Sequence, residues 1–124
     1  MNIFCYPGIT RRKPLCALLG VKPGERPQFG VRPGTPTVNG RADRTEIDMA
    51  LGHLLVEAKL TEAGFQKARP DLVLRYEDLD TVFHVAELPS ADGVFDSYQL
   101  IRGIMAAYHL GMSFVVMQTA GVPI

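Results

Sequence analysis

Four charged side chains within one short stretch have the types and spacing that hydrolytic chemistry needs: Glu46, Asp48, Glu57 and Lys59. The stretch is Thr45 to Thr61, TEIDMALGHLLVEAKLT. Ile47, Met49 and Leu51 alternate with Glu46, Asp48 and Ala50. After Gly52-His53, the residues Leu54, Val56, Ala58 and Leu60 alternate with Leu55, Glu57 and Lys59. Period two on both sides of a turn predicts a β-hairpin with a two-residue type II′ loop. Setting Leu51 opposite Leu54 puts Ala50 against Leu55, Met49 against Val56, Asp48 against Glu57 and Glu46 against Lys59. Opposed residues share a face, so the Asp48 and Glu57 Cβ atoms should stand about 4.5–5.5 Å apart, where like charges destabilise a sheet unless a cation lies between them. Hard oxygen ligands at that spacing, beside an ammonium, suit Mg²⁺ or Mn²⁺ holding a phosphate, with Asp48, Glu57 and Glu46 as candidate ligands.

These residues resemble the PD-(D/E)xK, or restriction endonuclease-like, nuclease superfamily. An acid stands on one strand and Glu-Ala-Lys on the next, here Asp48, Glu57 and Lys59, over roughly residues 45 to 118. Ile47 occupies the place where the family usually has Pro. The segment Tyr98-Gln99-Leu100 adds a second resemblance, because many members place a Gln or Lys there near the metal. Gly103 stands where the family pattern has Tyr. The resemblance implies an α/β fold with a restriction endonuclease-like core, a small mixed β-sheet of about four strands flanked by helices. It also implies Asp48, Glu57, Lys59 and Gln99 as catalytic residues.

The elements around the hairpin follow from punctuation and period. Residues 1–44 hold eight basic and two acidic side chains, and Pro and Gly fill twelve of the positions. This basic segment, packed on the core or leading into it, is expected to be mostly turns and extended chain. Within it Pro14 to Leu19 looks helical and Phe29 with Val31 suggests a short strand. Arg32 to Arg44 reads as a mobile loop whose Arg41 and Arg44 could meet phosphate. Lys67 could add a further phosphate contact. Residues 45–124 form the core of what is one domain at 124 residues. Leu72, Tyr76, Leu79 and Phe83 predict a helix from Pro70, its other face carrying Arg75, Glu77, Asp78 and Asp80 to solvent; Thr81 to Val85 could instead be a strand. Asp96 is the expected N-cap of a second helix with Gln99 closing a capping box, Leu100, Ile101, Ile104, Met105 and Tyr108 as its buried stripe, and Gly111 its stop. Ser113 to Thr119 reads as a buried strand.

Composition narrows the function. Net formal charge is zero, yet the two segments carry about +6 and −6, which suits a phosphodiesterase whose acidic site alone would repel a nucleic acid; mutual attraction between the halves accounts for the same asymmetry. Cys5 and Cys16 have no metal-type spacing and no secretory apolar run opens the chain, so free thiols in the cytoplasm are expected. No stretch is long enough to span a bilayer, and each of the three histidines reads as structural. The chain ends on Val122-Pro123-Ile124 straight after the last expected strand, as either a compact domain or a piece of a longer protein would. The reading that follows is a metal-dependent nuclease acting on DNA, with RNA as a second substrate class and a homodimer where both strands are cut. A catalytically inactive module of the same fold, binding nucleic acid or protein, is the alternative, and an unrelated structural domain with a merely solvated charged face is another.

Overall fold

The computed structural model of the chain describes residues 20, 22, 24–59 and 67–118, with Lys59 and Gln118 described through their backbone alone. The expected Pro14–Leu19 helix, both cysteines, the connection after Thr61 as far as residue 66 and the chain end fall outside these residues. Strands β1 (Gln28–Val31), β2 (Ile47–Leu51), β3 (Leu54–Lys59) and β6 (Ser113–Gln118) form one sheet in the order β1-β2-β3-β6. The first three pair antiparallel, and β6 joins β3 in parallel, Leu54 with Ser113 through Lys59 with Gln118. A parallel neighbour needs a crossover connection. It is supplied by α1 (Pro70–Leu74), α2 (Leu79–Val82), a two-residue hairpin of β4 (Ser90–Ala91) and β5 (Val94–Phe95), and α3 (Tyr98–Leu110).

The hairpin keeps the register read from its pattern: Met49 pairs Val56, Ala50 pairs Leu55 and Leu51 pairs Leu54. Gly52, at φ +56, takes the left-handed conformation that the first loop residue of a type II′ turn requires. Met49, Leu51, Leu54 and Val56 are buried together, with Val115 and Met117 packed against them. Leu55 packs with Ile47, Ala106 and Ala107, and with Phe114. A third cluster joins Val73, Tyr76, Leu79, Tyr98, Ile101 and Met105, and ties the short helices to α3.

Four expectations need correction. The helix from Pro70 is not continuous. It stops at Leu74, and Tyr76 turns out to pair with Thr37 in an isolated bridge before α2 begins. The segment 81–85 is the end of α2 followed by a 3₁₀ turn (Val85–Glu87), not a strand. Asp96 does not cap α3: Ser97 occupies that position in the left-handed region (φ 58, ψ 36), with no side-chain cap bond. Finally, the helix does not bury the large stripe alone. Ile101 and Met105 are buried, but Tyr108 is half exposed, and the small residues Gly103, Ala106 and Ala107 are buried instead. The reason is the sheet. Phe114 fills the space above β6, and a Cβ on Gly103 would overlap its ring, so the helix can approach only along its smallest residues.

Candidate active site

At the open end of the hairpin the backbone ladder stops after Met49 and Val56. Carboxylates take over from carbonyls there. Asp48 Oδ2 accepts the Ala58 backbone N–H at 2.8 Å, and Glu57 Oε1 accepts the Asp48 backbone N–H at 3.3 Å. Each acid is therefore fixed by the other's strand. The arrangement costs Glu57 its ordinary acidity: burial first, and then the negative charge of Asp48, push its carboxyl up to about 7, although the Asp48 backbone N–H and the charge of Arg102 pull the other way. Among the described residues neither acid has an ion-pair partner.

Such a pair fits a hard divalent cation. Two half-solvated carboxylates held by backbone amides leave most of an octahedral shell for waters and a phosphate, as Mg²⁺ prefers. Among the described residues no third His, Cys, Asp or Glu side chain joins the two in a group that could hold a metal ion, so the protein would supply two ligands and the rest of the shell would be water and phosphate. Glu46 is engaged by Arg32, whose Nε and a terminal nitrogen donate to Glu46 Oε1 at 3.1 and 3.0 Å; the expected opposition to Lys59 involves a side chain outside the described residues. The backbone of Lys59 pairs with Gln118, and its side chain lies outside the described residues. Gln99 stands in the first turn of α3, half buried and engaged in an interaction of its own.

The segment before β2 is not a mobile loop. Thr35, Thr37 and Asp43 are buried, and backbone bonds tie Thr37 to Arg41, Val38 to Arg75, Asp43 to Thr35 and Glu77 to Pro36. Asp43 is the anchor. Its Oδ1 accepts the Thr45 N–H and hydroxyl in an Asx turn, and its Oδ2 accepts the Tyr76 hydroxyl at 2.5 Å and faces Arg75 at 3.2 Å. Burial raises the Asp43 carboxyl, but Tyr76, Thr45 and Arg75 together outweigh it and hold the group below its usual range. Arg75 in turn donates to the Tyr98 hydroxyl at 3.3 Å, so the loop is locked to the start of α3.

Above this network the loop frames a groove of about 810 Å³ lined by Arg41, Arg44 and Arg75 with Thr37 to Gly40 and Ala42. Among the described residues no acidic side chain lines it. Lys67 is exposed and, among the described residues, joins neither this groove nor the carboxylates. Reading by pattern missed Asp43, Tyr76 and Arg75, because a solvated helix face and a buried salt bridge look alike until the chain that covers them is placed. It also gave Arg102 no role.

A mixed sheet whose two central antiparallel strands each bring one carboxylate to their parted end, crossed by a helix that returns to a parallel fourth strand, is the frame of a restriction endonuclease-like nuclease fold. The chain belongs to the family described as restriction endonuclease associating with ARP, whose sequence pattern matches residues 1–121. No curated protein and no solved structure matches it. Among the described residues, no helix is long and apolar enough to cross a membrane.

Proposed function

We propose that the chain is a metal-dependent nuclease that hydrolyses phosphodiester bonds in DNA. The observation that carries this reading is the pair Asp48 and Glu57, each gripping the backbone of the opposite strand while Glu57 is raised to about 7. A fold does not spend two facing carboxylates on stability alone, since like charges opposed in a sheet weaken it.

Asp48 and Glu57 would hold Mg²⁺ or Mn²⁺, which when bound supplies Lewis-acid stabilisation of charge on the phosphate. Water attacks phosphorus in line, the P–O bond to the leaving oxygen breaks, and the proton lost by the water and the one gained by the leaving oxygen balance. Lys59, two residues beyond Glu57, is the candidate for orienting or deprotonating the water or for neutralising the phosphate. Gln99 is the candidate for positioning from α3. Arg41 and Arg44 line a groove free of acids among the described residues, Arg44 at most about 14 Å and Arg41 at most about 25 Å of extended chain before Asp48. That suits a neighbouring backbone phosphate a few nucleotides away, with Lys67 as a further contact. One site cuts one strand per encounter, so cutting both calls for a symmetric pair of copies.

The test is plasmid nicking with Mg²⁺, Mn²⁺ or Ca²⁺, alongside calorimetry of metal binding. Nicking with Mg²⁺ or Mn²⁺, lost together with metal binding in Glu57→Ala, is the expected result. Metal and DNA binding without turnover would favour the inactive module, for which the Glu46–Arg32 pair already diverts one acid. Absence of metal binding would overturn the reading.

A further inference from the structure

Helix α3 lies over the face of the sheet that carries Leu55 and Phe114, which are register partners. Ala106 and Ala107 meet Leu55, and Gly103 meets Phe114. Arg102 adjoins Gly103 on the helix, and Glu57 follows Leu55 by two residues on the same face of β3, which sets the helix that carries the guanidinium over the sheet face that carries the carboxylate. The charge of Arg102 is felt at Glu57.

Arg102 is held there without the usual return. Its guanidinium carbon lies 5.6 Å from the centroid of the Tyr98 ring, and the Tyr98 hydroxyl is itself held by Arg75. The Nε atom is buried and has no hydrogen-bond partner, and among the described residues the guanidinium makes no ion pair. A buried donor left unmade forfeits its hydration with nothing gained in return. Native folds rarely keep one without a water, an ion, a ligand or a catalytic role to account for it.

We infer that Arg102 is a substrate-contacting residue of the nuclease site proposed above, its guanidinium fork taking non-bridging oxygens of the phosphate that Asp48 and Glu57 address. This rests on that reading of the site. A guanidinium matches the geometry of a phosphate with two parallel N–H bonds, where an ammonium offers a point charge. It keeps its protons throughout, so the hydrolysis remains an exchange of water for the leaving alkoxide. Its stack on Tyr98 preorganises it, which is the condition for stabilising charge that develops in the transition state.

The inference is tested with Arg102→Met, which keeps length and contact with Tyr98 but has no donor, and Arg102→Lys, which keeps the charge without the fork. Affinity for a labelled DNA duplex is measured in Ca²⁺ across a salt series, with Mg²⁺ affinity by calorimetry, thermal midpoint and turnover on the same proteins. In Arg102→Met, duplex affinity should fall about tenfold and the slope of log affinity against log salt should drop by about one. The thermal midpoint should hold or rise, because an unmet buried donor is removed, and Mg²⁺ affinity should hold or rise with one positive charge gone. Turnover should fall on the order of 10²-fold in both variants. Wild-type duplex affinity and slope in Arg102→Met would overturn the inference. Should Arg102→Met not fold, Arg102→Lys decides: lost turnover at unchanged Mg²⁺ affinity supports the role, and wild-type turnover removes it. If the wild-type protein cleaves with no metal while Arg102→Met still weakens and flattens duplex binding, the nuclease reading fails and the phosphate contact stands.

Discussion

The chemistry turns on how Glu57 is kept. Its carboxyl is raised from 4.5 to about 7, so the folded protein holds a proton that the unfolded chain has already released. The metal-free fold is therefore least penalised below about pH 4.5 and loses stability as pH rises through 7. Allowing for the partial exposure of the group, the loss is about 1–2 kcal/mol. Glu57→Gln keeps the acceptor for the Asp48 N–H and should flatten this slope and raise the metal-free thermal midpoint at pH 8; an unchanged pH profile in denaturant titrations would count against the raised carboxyl. Asp48→Asn should act in the same direction, since it removes the other half of the repulsion. Lys59 is the complementary test. Lys59→Ala should lose cleavage while keeping metal binding, and Lys59→Arg separates its roles, because a guanidinium keeps the charge but cannot act as a base. Substantial nicking by Lys59→Arg would leave only the electrostatic role.

Between residue and fold, α3 sets the site by how closely it can lie on the sheet. Gly103 faces the Phe114 ring with no room for a Cβ, so Gly103→Ala must lift the helix or turn the ring. Overpacking of this kind costs about 1–3 kcal/mol, against the modest gain in helix propensity that Ala brings. The expected outcome is a lower denaturation midpoint, partly restored by adding Phe114→Leu; a stabilised Gly103→Ala would show the ring can yield. The second controlling element is the loop before β2. Tyr76 is 2% exposed and Asp43 4% exposed, so removing the phenol oxygen leaves a buried carboxylate with one donor fewer. Tyr76→Phe should cost about 1–3 kcal/mol and speed proteolysis between Val38 and Arg41. A cleavage rate equal to the wild type would mean the backbone bonds from Thr37 and Val38 hold the loop unaided.

At the scale of the whole molecule, charge is divided between a basic N-terminal part and an acidic core, and the fold lays part of the basic segment beside the strand that carries Asp48. The groove of Arg41, Arg44 and Arg75 is where the two parts meet. Arg75 is spent on Asp43 and Tyr98, whereas among the described residues Arg41 and Arg44 have no ion-pair partner. Replacing Arg41 and Arg44 should lower the slope of log DNA affinity against log salt by about one per lost phosphate contact and leave the thermal midpoint nearly unchanged. A midpoint that falls with an unchanged slope would assign both arginines to the loop's own structure.

What the sequence by itself determined was local and periodic. Alternation on both sides of Gly52 specified the hairpin and its register, and with them the meeting of Asp48 and Glu57, because a strand's side-chain period admits no other pairing that buries Met49, Leu51, Leu54 and Val56. Gly111 stopped α3, and a strand after it was legible from SFVVMQ. The Asp92-Gly93 pair held a turn signal of the same kind, with both residues at positive φ between β4 and β5. Contacts between segments distant in the chain were decided only in three dimensions. Tyr76 left a helical pattern to bridge Thr37, and a loop rich in Pro and Gly became fixed once Asp43 found Tyr76 and Arg75 across some thirty residues. The small face of α3 went inward since Phe114 had taken the space. Periodicity reports which residues share a face; it carries no record of what another part of the chain will set against that face, and burial, paired charges and the place of Arg102 beside Glu57 all depend on that.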